Sequence, residues 1–166
     1  MFVFEHFEDH LLELAQKDLP LEVKNKILED ALREIAELHD QDIVHTDMKA
    51  DNCLYAVHKH IIFAVGEEEL DERVDPLAIV IERQISYFGD DDTLNVFLNL
   101  LGDNPWVPVS KVLRDGFNKD NPRKPFSLWK GVDEDFKCLI CAMTNFDPEN
   151  RITAREALAH KWFEDV

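Results

Sequence analysis

Apolar residues recur every three or four positions through several stretches of the chain, which is the spacing of one face of an α-helix. The longest stretch follows Asp18 and Pro20, residue types that suit a helix cap and a first turn, and it extends over about five turns. Its apolar positions are Val23, Ile27, Leu28, Ala31, Leu32, Ile35 and Leu38. This pattern predicts a long amphipathic helix.

Three shorter helices are predicted further along. One opens at Asp75-Pro76 and is stopped by Gly89, and another opens at Asp92-Thr93 and ends before Gly102. A third runs over residues 133–143. The sequence therefore predicts a mainly α-helical chain.

Two other stretches carry weaker or different signals. Residues 104–129 contain four prolines, which predicts an irregular connection. Residues 55–65 are rich in β-branched side chains, which by themselves favour a strand. Near the C-terminus, Thr153-Ala154-Arg155-Glu156 has the spacing of a capping box and predicts the start of a further helix.

Composition indicates one acidic module. The 166 residues are enough for a single core, and 35 Asp and Glu against 18 Lys and Arg give a net charge of -17. Such a charge repels phosphate backbones and anionic lipids, so we expect no nucleic-acid partner and no membrane partner. The sequence has neither a targeting signal nor an apolar run long enough to span a bilayer. We therefore expect an intracellular protein, cytoplasmic or nuclear.

The cysteines and histidines do not predict a disulfide framework, a redox site or a metal site. Three cysteines, an odd number, argue against a secreted disulfide framework. Cys138 and Cys141 flank apolar residues, which favours core packing over a redox or zinc role. His6 and His10 lie one helical turn apart but lack a third ligand, which favours surface histidines over a metal site.

Residues 45–54 carry the strongest functional signal. They read His45-Thr46-Asp47-Met48-Lys49-Ala50-Asp51-Asn52-Cys53-Leu54, with the spacing H-x-D-x-K-x-x-N. This resembles the catalytic loop of the protein kinases, H-R-D-L-x-x-x-N. The C-terminal part agrees, since residues 147–151 match the family's D-P-x-x-R turn and residues 157–163 resemble its usual end.

The resemblance implies a role for each polar residue of this loop. Asp47 would orient the substrate hydroxyl and accept its proton, Lys49 would contact the phosphoryl oxygens, and Asn52 would bind Mg²⁺. The lysine two residues after the aspartate favours the serine/threonine group. Small-molecule phosphotransferases of the aminoglycoside or choline kinase type use a similar loop, but the lysine and the turn at 147–151 argue against them.

The N-terminal residues resemble the strand and hinge between the two kinase lobes. On that match the backbones of Glu5 and Phe7 would contact adenine and Leu54 would lie beneath the ring, so ATP and Mg²⁺ are the implied cofactors. The implied partner is a protein substrate or another binding protein. The resemblance also implies short β elements at the hinge and at the catalytic loop. A plain aromatic-rich edge strand is the competing interpretation of residues 2–8.

The departures from the family decide what this chain can do. After Leu54 the sequence continues directly into residues 55–65, which resemble the later part of the central kinase helix. The D-F-G site, activation loop and A-P-E segment are missing, and no Gly-rich loop or V-A-I-K lysine occurs. We therefore expect residues 1–166 to form a partial protein-kinase-like domain, a truncated large lobe that is inactive as this chain. The alternatives are a non-catalytic, pseudokinase-like binding module and a truncated splice product or gene model.

Two further expectations follow from the missing segment. Apolar residues that it would cover should lie partly open and cause self-association; they are Phe2, Phe4, Ile61, Ile62 and Phe63. In the family, Arg151 pairs with the A-P-E glutamate. Here we expect Arg151 to turn to solvent or to pair with Asp147 or Glu149.

Overall fold

The chain is mainly α-helical, as the sequence predicts. A computed structural model describes residues 17, 19–44, 57, 62–70 and 74–164. Within these ranges the helices are α1 (Leu21–His39), α2 (Pro76–Phe88), α3 (Asp91–Leu101), α4 (Trp106–Asp115), α5 (Glu134–Met143) and α6 (Ala154–Leu158), with short 3₁₀ helices at Glu67–Glu69, Phe126–Leu128 and Lys161–Phe163. No residue in these ranges is in a strand. The β elements predicted at the hinge and catalytic loop lie outside the described residues.

Helix α1 confirms the long amphipathic prediction over 19 residues. Leu28, Leu32 and Ala36 are its buried residues. Pro20 occupies the N-cap position instead of the first turn, and no side chain caps the helix there. Val23 is 42% exposed, so its assignment to the buried face is wrong. Helix α1 contacts α6 through Leu32 and Ala36, which lie more than two turns after Val23. The first turn of α1 is therefore not covered by α6.

Aspartate caps explain why α2, α3 and α5 begin where they do. Asp75, Asp90 and Asp133 each accept backbone N–H groups from residues two or three positions further on. These bonds satisfy donors that have no partner inside the helix. Helix α3 begins at Asp91, ahead of the predicted opening at Asp92-Thr93, because Asp90 is the cap. Gly102 ends α3 with a φ of 56°, a left-handed conformation that favours glycine.

The prediction of an irregular connection over 104–129 is wrong in its first half, where α4 forms. Pro105 is the N-cap of α4 and Pro108 lies in its first turn. The first four N–H groups of a helix lack an intrahelical acceptor, so proline loses no hydrogen bond there. Asn104 supports this start, because its side-chain oxygen accepts the N–H of Trp106 at 2.9 Å.

The buried side chains form three clusters. The α1–α6 cluster consists of Leu32, Ala36, Leu139, Ala154 and Ala157. The α5 cluster consists of Ile62, Phe126, Phe136 and Ile140. The α2–α4 cluster consists of Ile85, Leu94, Leu98 and Val107. Helix α5 contributes to the first two clusters, and so it links α1 and α6 to the residues around Ile62.

A buried lysine of α5 forms hydrogen bonds to the backbone of the preceding 3₁₀ helix and the residue after it. Lys137 is 6% exposed, and its Nζ donates to the carbonyls of Ser127 at 3.3 Å and Trp129 at 3.2 Å. It also pairs with Glu134 at 2.6 Å. The lysine charge is therefore compensated, as burial requires.

The apolar residues expected to be uncovered are largely covered where the structure describes them. Ile62 is 7% exposed and packs within the α5 cluster, so the expectation that it lies open is wrong. Phe63 is half-buried beside the rings of Tyr87 and Phe88. Phe2, Phe4 and Ile61 lie outside the described residues. Self-association thus stays a prediction with less support.

Candidate functional site

The six predicted site residues all lie outside the described part of the chain. They are Asp47, Lys49 and Asn52 of the catalytic loop, and Glu5, Phe7 and Leu54 of the nucleotide site. Their roles therefore stay predictions. The structure does describe the elements on both sides of segment 45–56.

The upstream flank is a tight turn at the end of α1. The Asp42 backbone has a φ of 58°, and the N–H of Ile43 donates back to the carbonyl of Leu38 at 2.9 Å. This turn reverses the chain directly after the helix. Ile43 and Val44, 48% and 72% exposed, then lead into His45.

The same turn is attached to α6. The Asp40 carboxylate pairs with the guanidinium of Arg155, and Ala36 packs against Ala154 and Ala157 one turn earlier. Small side chains on both helices allow this close approach. A cavity of about 210 Å³ lies between the end of α1 and the start of α6. Sequence reasoning missed the Asp40–Arg155 pair because no local signal connects residues 115 positions apart.

The start of α6 is fixed by the predicted capping box. The N–H of Thr153 donates to Glu156 Oε2 at 2.7 Å, and the N–H of Glu156 donates to Thr153 Oγ1 at 3.2 Å. The backbone bond from Thr153, followed by the bond from its hydroxyl, lowers the pKa of the Glu156 carboxyl. The box thus holds the surface against which the end of α1 rests.

The downstream flank rests on the α5 cluster. Val57 is helical and packs against this cluster, and Ile62 is part of it. The stretch that follows is held by Arg83 of α2, which donates to the carbonyl of Ala64 and to the carboxylate of Glu69 at 2.7 Å. The Gly66 N–H and the Arg83 guanidinium lower the pKa of Glu69.

Both flanks of segment 45–56 therefore rest on one helix. Leu139 of α5 packs with the α1–α6 cluster, whereas Phe136 and Ile140 belong to the α5 cluster. Consecutive positions of α5, which point to different sides of the helix, thus pack against the described elements on either side of segment 45–56.

The D-P-x-x-R turn is built around a buried carboxylate. Asp147 is 8% exposed, and it accepts the N–H of Glu149 at 3.0 Å and the side-chain amide of Asn150 at 2.6 Å. Arg151 is exposed and donates its Nε to the carbonyl of Asn145 at 2.7 Å. In this part of the chain no carboxylate pairs with Arg151, so its predicted turn to solvent is confirmed, and pairing with Asp147 or Glu149 is not found.

A polar groove of about 760 Å³ lies between α3, α4 and the loop after α4. Arg114 on its wall pairs with Asp115 at 2.7 Å. Arg123 pairs with Asp91 at 2.6 Å and lies over the ring of Phe117. Because both cations are already neutralised, the groove is better explained by structural ion pairs than by a ligand site.

Other candidate chemistry is sparse in the described ranges. No group of three His, Cys, Asp or Glu residues there could hold a metal ion. Cys138 is exposed and only Cys141 is half-buried, so the prediction of core packing is wrong for Cys138. The helices of this part include none that is long and apolar enough to cross a membrane.

Three curated proteins show what the chain is similar to. It is 26% identical to the calcium and calcium/calmodulin-dependent serine/threonine-protein kinase of Lilium longiflorum, over 77% of this chain and 28% of the relative. It is 26% identical to the CDPK-related protein kinase of Daucus carota, over 98% of this chain and 33% of the relative. It is 25% identical to the meiosis-specific serine/threonine-protein kinase mek1 of Schizosaccharomyces pombe, over 82% of this chain and 36% of the relative.

The chain resembles serine/threonine protein kinases over most of its length. It spans about a third or less of the first curated relatives that it matches. No protein-family model and no solved structure matches it. The alignment with the carrot kinase is 202 positions long, whereas this chain has 166 residues. At least 36 positions of the alignment are therefore gaps in this chain.

Proposed function

We propose that this chain is the large lobe of a serine/threonine-type protein kinase that has kept the catalytic loop and does not transfer phosphate. One observation carries the proposal. The loop H-x-D-x-K-x-x-N at 45–52 is present, yet neither a D-F-G nor an A-P-E motif occurs anywhere in the 166 residues. The unmatched positions in the carrot comparison support an internal loss of sequence.

Magnitudes explain why the loop alone is insufficient. A positioned general base such as Asp47 contributes roughly 10²–10⁴ in rate. Enzymes typically accelerate reactions by about 10⁶ or more. In phosphoryl transfer most of the remainder comes from phosphate clamps and metal ions. Asp47 and Lys49 therefore retain only a small part of the required catalysis.

The residues present do not fit the magnesium site of the family. That site takes an amide from the catalytic loop and the carboxylate of D-F-G. Asn52 supplies the amide, but no D-F-G aspartate follows it in this sequence. Adenine contacts by Glu5, Phe7 and Leu54 would remain, without a Gly-rich loop above them. We therefore propose weak nucleotide binding that does not depend on Mg²⁺.

A second candidate function is a non-catalytic module that binds a protein. The observation that favours it is the packed support on both sides of segment 45–56, with α5 in contact with α1, α6 and Ile62. A scaffold of this kind can present a surface without any catalysis. The net charge of -17 favours a basic partner. A small-molecule phosphotransferase is disfavoured by Lys49 and by the turn built on Asp147.

The direct test is transfer of radiolabelled phosphate from ATP to a basic protein in the presence of Mg²⁺. Wild type and Asp47→Asn should both give background counts. Asp51→Asn is the matched control, because it removes the same charge four residues away in the same loop. Transfer that is retained by Asp51→Asn and abolished by Asp47→Asn would refute the proposal.

A further inference from the structure

Helix α5 carries two free cysteines one helical turn apart. Cys138 is exposed, whereas Cys141 is half-buried against the α5 cluster. The two residues between them, Leu139 and Ile140, are 3% and 2% exposed. Leu139 packs in the α1–α6 cluster and Ile140 in the α5 cluster. A change of helix geometry between the two thiols would therefore act on both clusters.

The surroundings of the two thiols differ. Lys161 pairs with Asp135 and also interacts electrostatically with Cys138; both contacts raise the pKa of the lysine, Asp135 the more. Burial, followed by the nearby Cys138, raises the pKa of the Cys141 thiol. Cys138 is thus exposed beside the Lys161 ammonium, and Cys141 is half-buried.

We propose that Cys138 and Cys141 form a peroxide-sensitive thiol pair, in which Cys138 is oxidised first and Cys141 closes an intrahelical disulfide. The Cys138 thiolate attacks one oxygen of hydrogen peroxide, and the O–O bond breaks to give a sulfenic acid and hydroxide, which takes up a proton as water. The Cys141 sulfur then attacks the sulfenic sulfur, the S–O bond breaks, and the thiol proton leaves with the hydroxide as a second water. The two thiols lose two electrons and two protons, and the peroxide is reduced.

The helix must change shape for this bond to close. Side chains three positions apart on an α-helix have Cβ atoms about 5–6 Å apart, whereas a disulfide requires about 3.5–4.5 Å. Closing the disulfide therefore distorts the helix at 138–141, displaces Leu139 and Ile140, and loosens the packing of both clusters. The strain also makes the bond easy to reduce.

The test is brief treatment of the full chain with hydrogen peroxide, followed by denaturation, alkylation, tryptic digestion and mass spectrometry. Lys137 and Arg151 place both cysteines in one peptide, residues 138–151. We expect this peptide to become lighter by two hydrogen atoms and to regain them with dithiothreitol. The oxidised protein should melt at least about 2–4 °C lower than the reduced protein.

Variants and the third cysteine complete the test. Cys138→Ser and Cys141→Ser should each abolish the mass change, and Cys138→Ser replaces an exposed side chain and should fold normally. If Cys141→Ser is unstable, the mass of peptide 138–151 from the oxidised wild-type chain still shows whether the disulfide forms. Oxygen adducts without loss of hydrogen, no oxidation at all, or a bond to Cys53 would overturn the proposal. If the disulfide forms and the melting temperature does not change, the inference that oxidation disturbs the packing of Leu139 and Ile140 is wrong.

Discussion

The helices α2–α4 and the packing of α1, α5 and α6 beside segment 45–56 are built in different ways. Successive helices with their own caps form the first region, and its cluster draws on residues close together in sequence, from Ile85 to Val107. The second region joins α1 to α5 and α6, which follow about 100 residues later. Local capping therefore determines the first region, whereas the second depends on long-range contacts that form only in the folded chain.

The largest expected effect is on the long-range region. Phe136 is 1% exposed and packs with Ile62 and Phe126 in the α5 cluster. Phe136→Ala should lower the free energy of unfolding by about 3–5 kcal/mol, because it leaves a cavity in that cluster. Leu128→Ala, at a side chain 74% exposed, is the control and should change stability by less than about 0.5 kcal/mol. Equal effects in urea unfolding would show that α5 is not the common support.

The local region can be tested with two leucines of one helix. Leu98 is 3% exposed and Leu100 is 64% exposed, both in α3. Leu98→Ala should cost about 2–5 kcal/mol, and Leu100→Ala should cost less than about 0.5 kcal/mol. Hydrogen exchange should accelerate in α2–α4 more than in α1 and α6. Uniform acceleration would mean that the two regions unfold as one unit.

The turn at 147–151 separates a buried carboxylate from an exposed cation. Asp147→Ala leaves the N–H of Glu149 and the amide of Asn150 without an acceptor, and should cost about 1–3 kcal/mol. Arg151→Ala removes one bond to a carbonyl at the surface and should cost about 1 kcal/mol or less. A cost above about 3 kcal/mol for Arg151→Ala in denaturant unfolding would indicate a buried ionic partner.

The smallest expected effect is the pH dependence of the α6 cap. Bonds from Thr153 lower the pKa of Glu156 in the folded chain below its ordinary value of 4.5. The ionised carboxylate therefore stabilises the fold above that pH, and the contribution is lost as the pH falls through the lowered value. Glu156→Gln should melt slightly below wild type at pH 7, with the difference disappearing in acid. Glu164→Gln, outside the capping box, should show no such convergence.

The sequence predicts helix starts from neighbouring residues, but it does not predict which distant helices pack together. The helix starts at Asp75-Pro76 and at residue 133, and the capping box at Thr153, are predictable because each depends on residues close together in sequence. Proline count alone does not predict helix α4, because prolines at the N-cap and in the first turn are compatible with a helix. The support of the loop by α5 carries no local signal. The prediction of a catalytic loop at 45–54 rests on its motif alone.

The central claim is that the chain retains the H-x-D-x-K-x-x-N loop and lacks the Mg²⁺ site. A measurement of nucleotide binding tests this claim most directly. Isothermal titration of the 166-residue chain with ATP should give a Kd weaker than about 1 mM, unchanged by Mg²⁺, because Asn52 has no D-F-G partner. Asn52→Ala should behave like wild type. Micromolar binding that requires Mg²⁺ and is lost in Asn52→Ala would contradict the account.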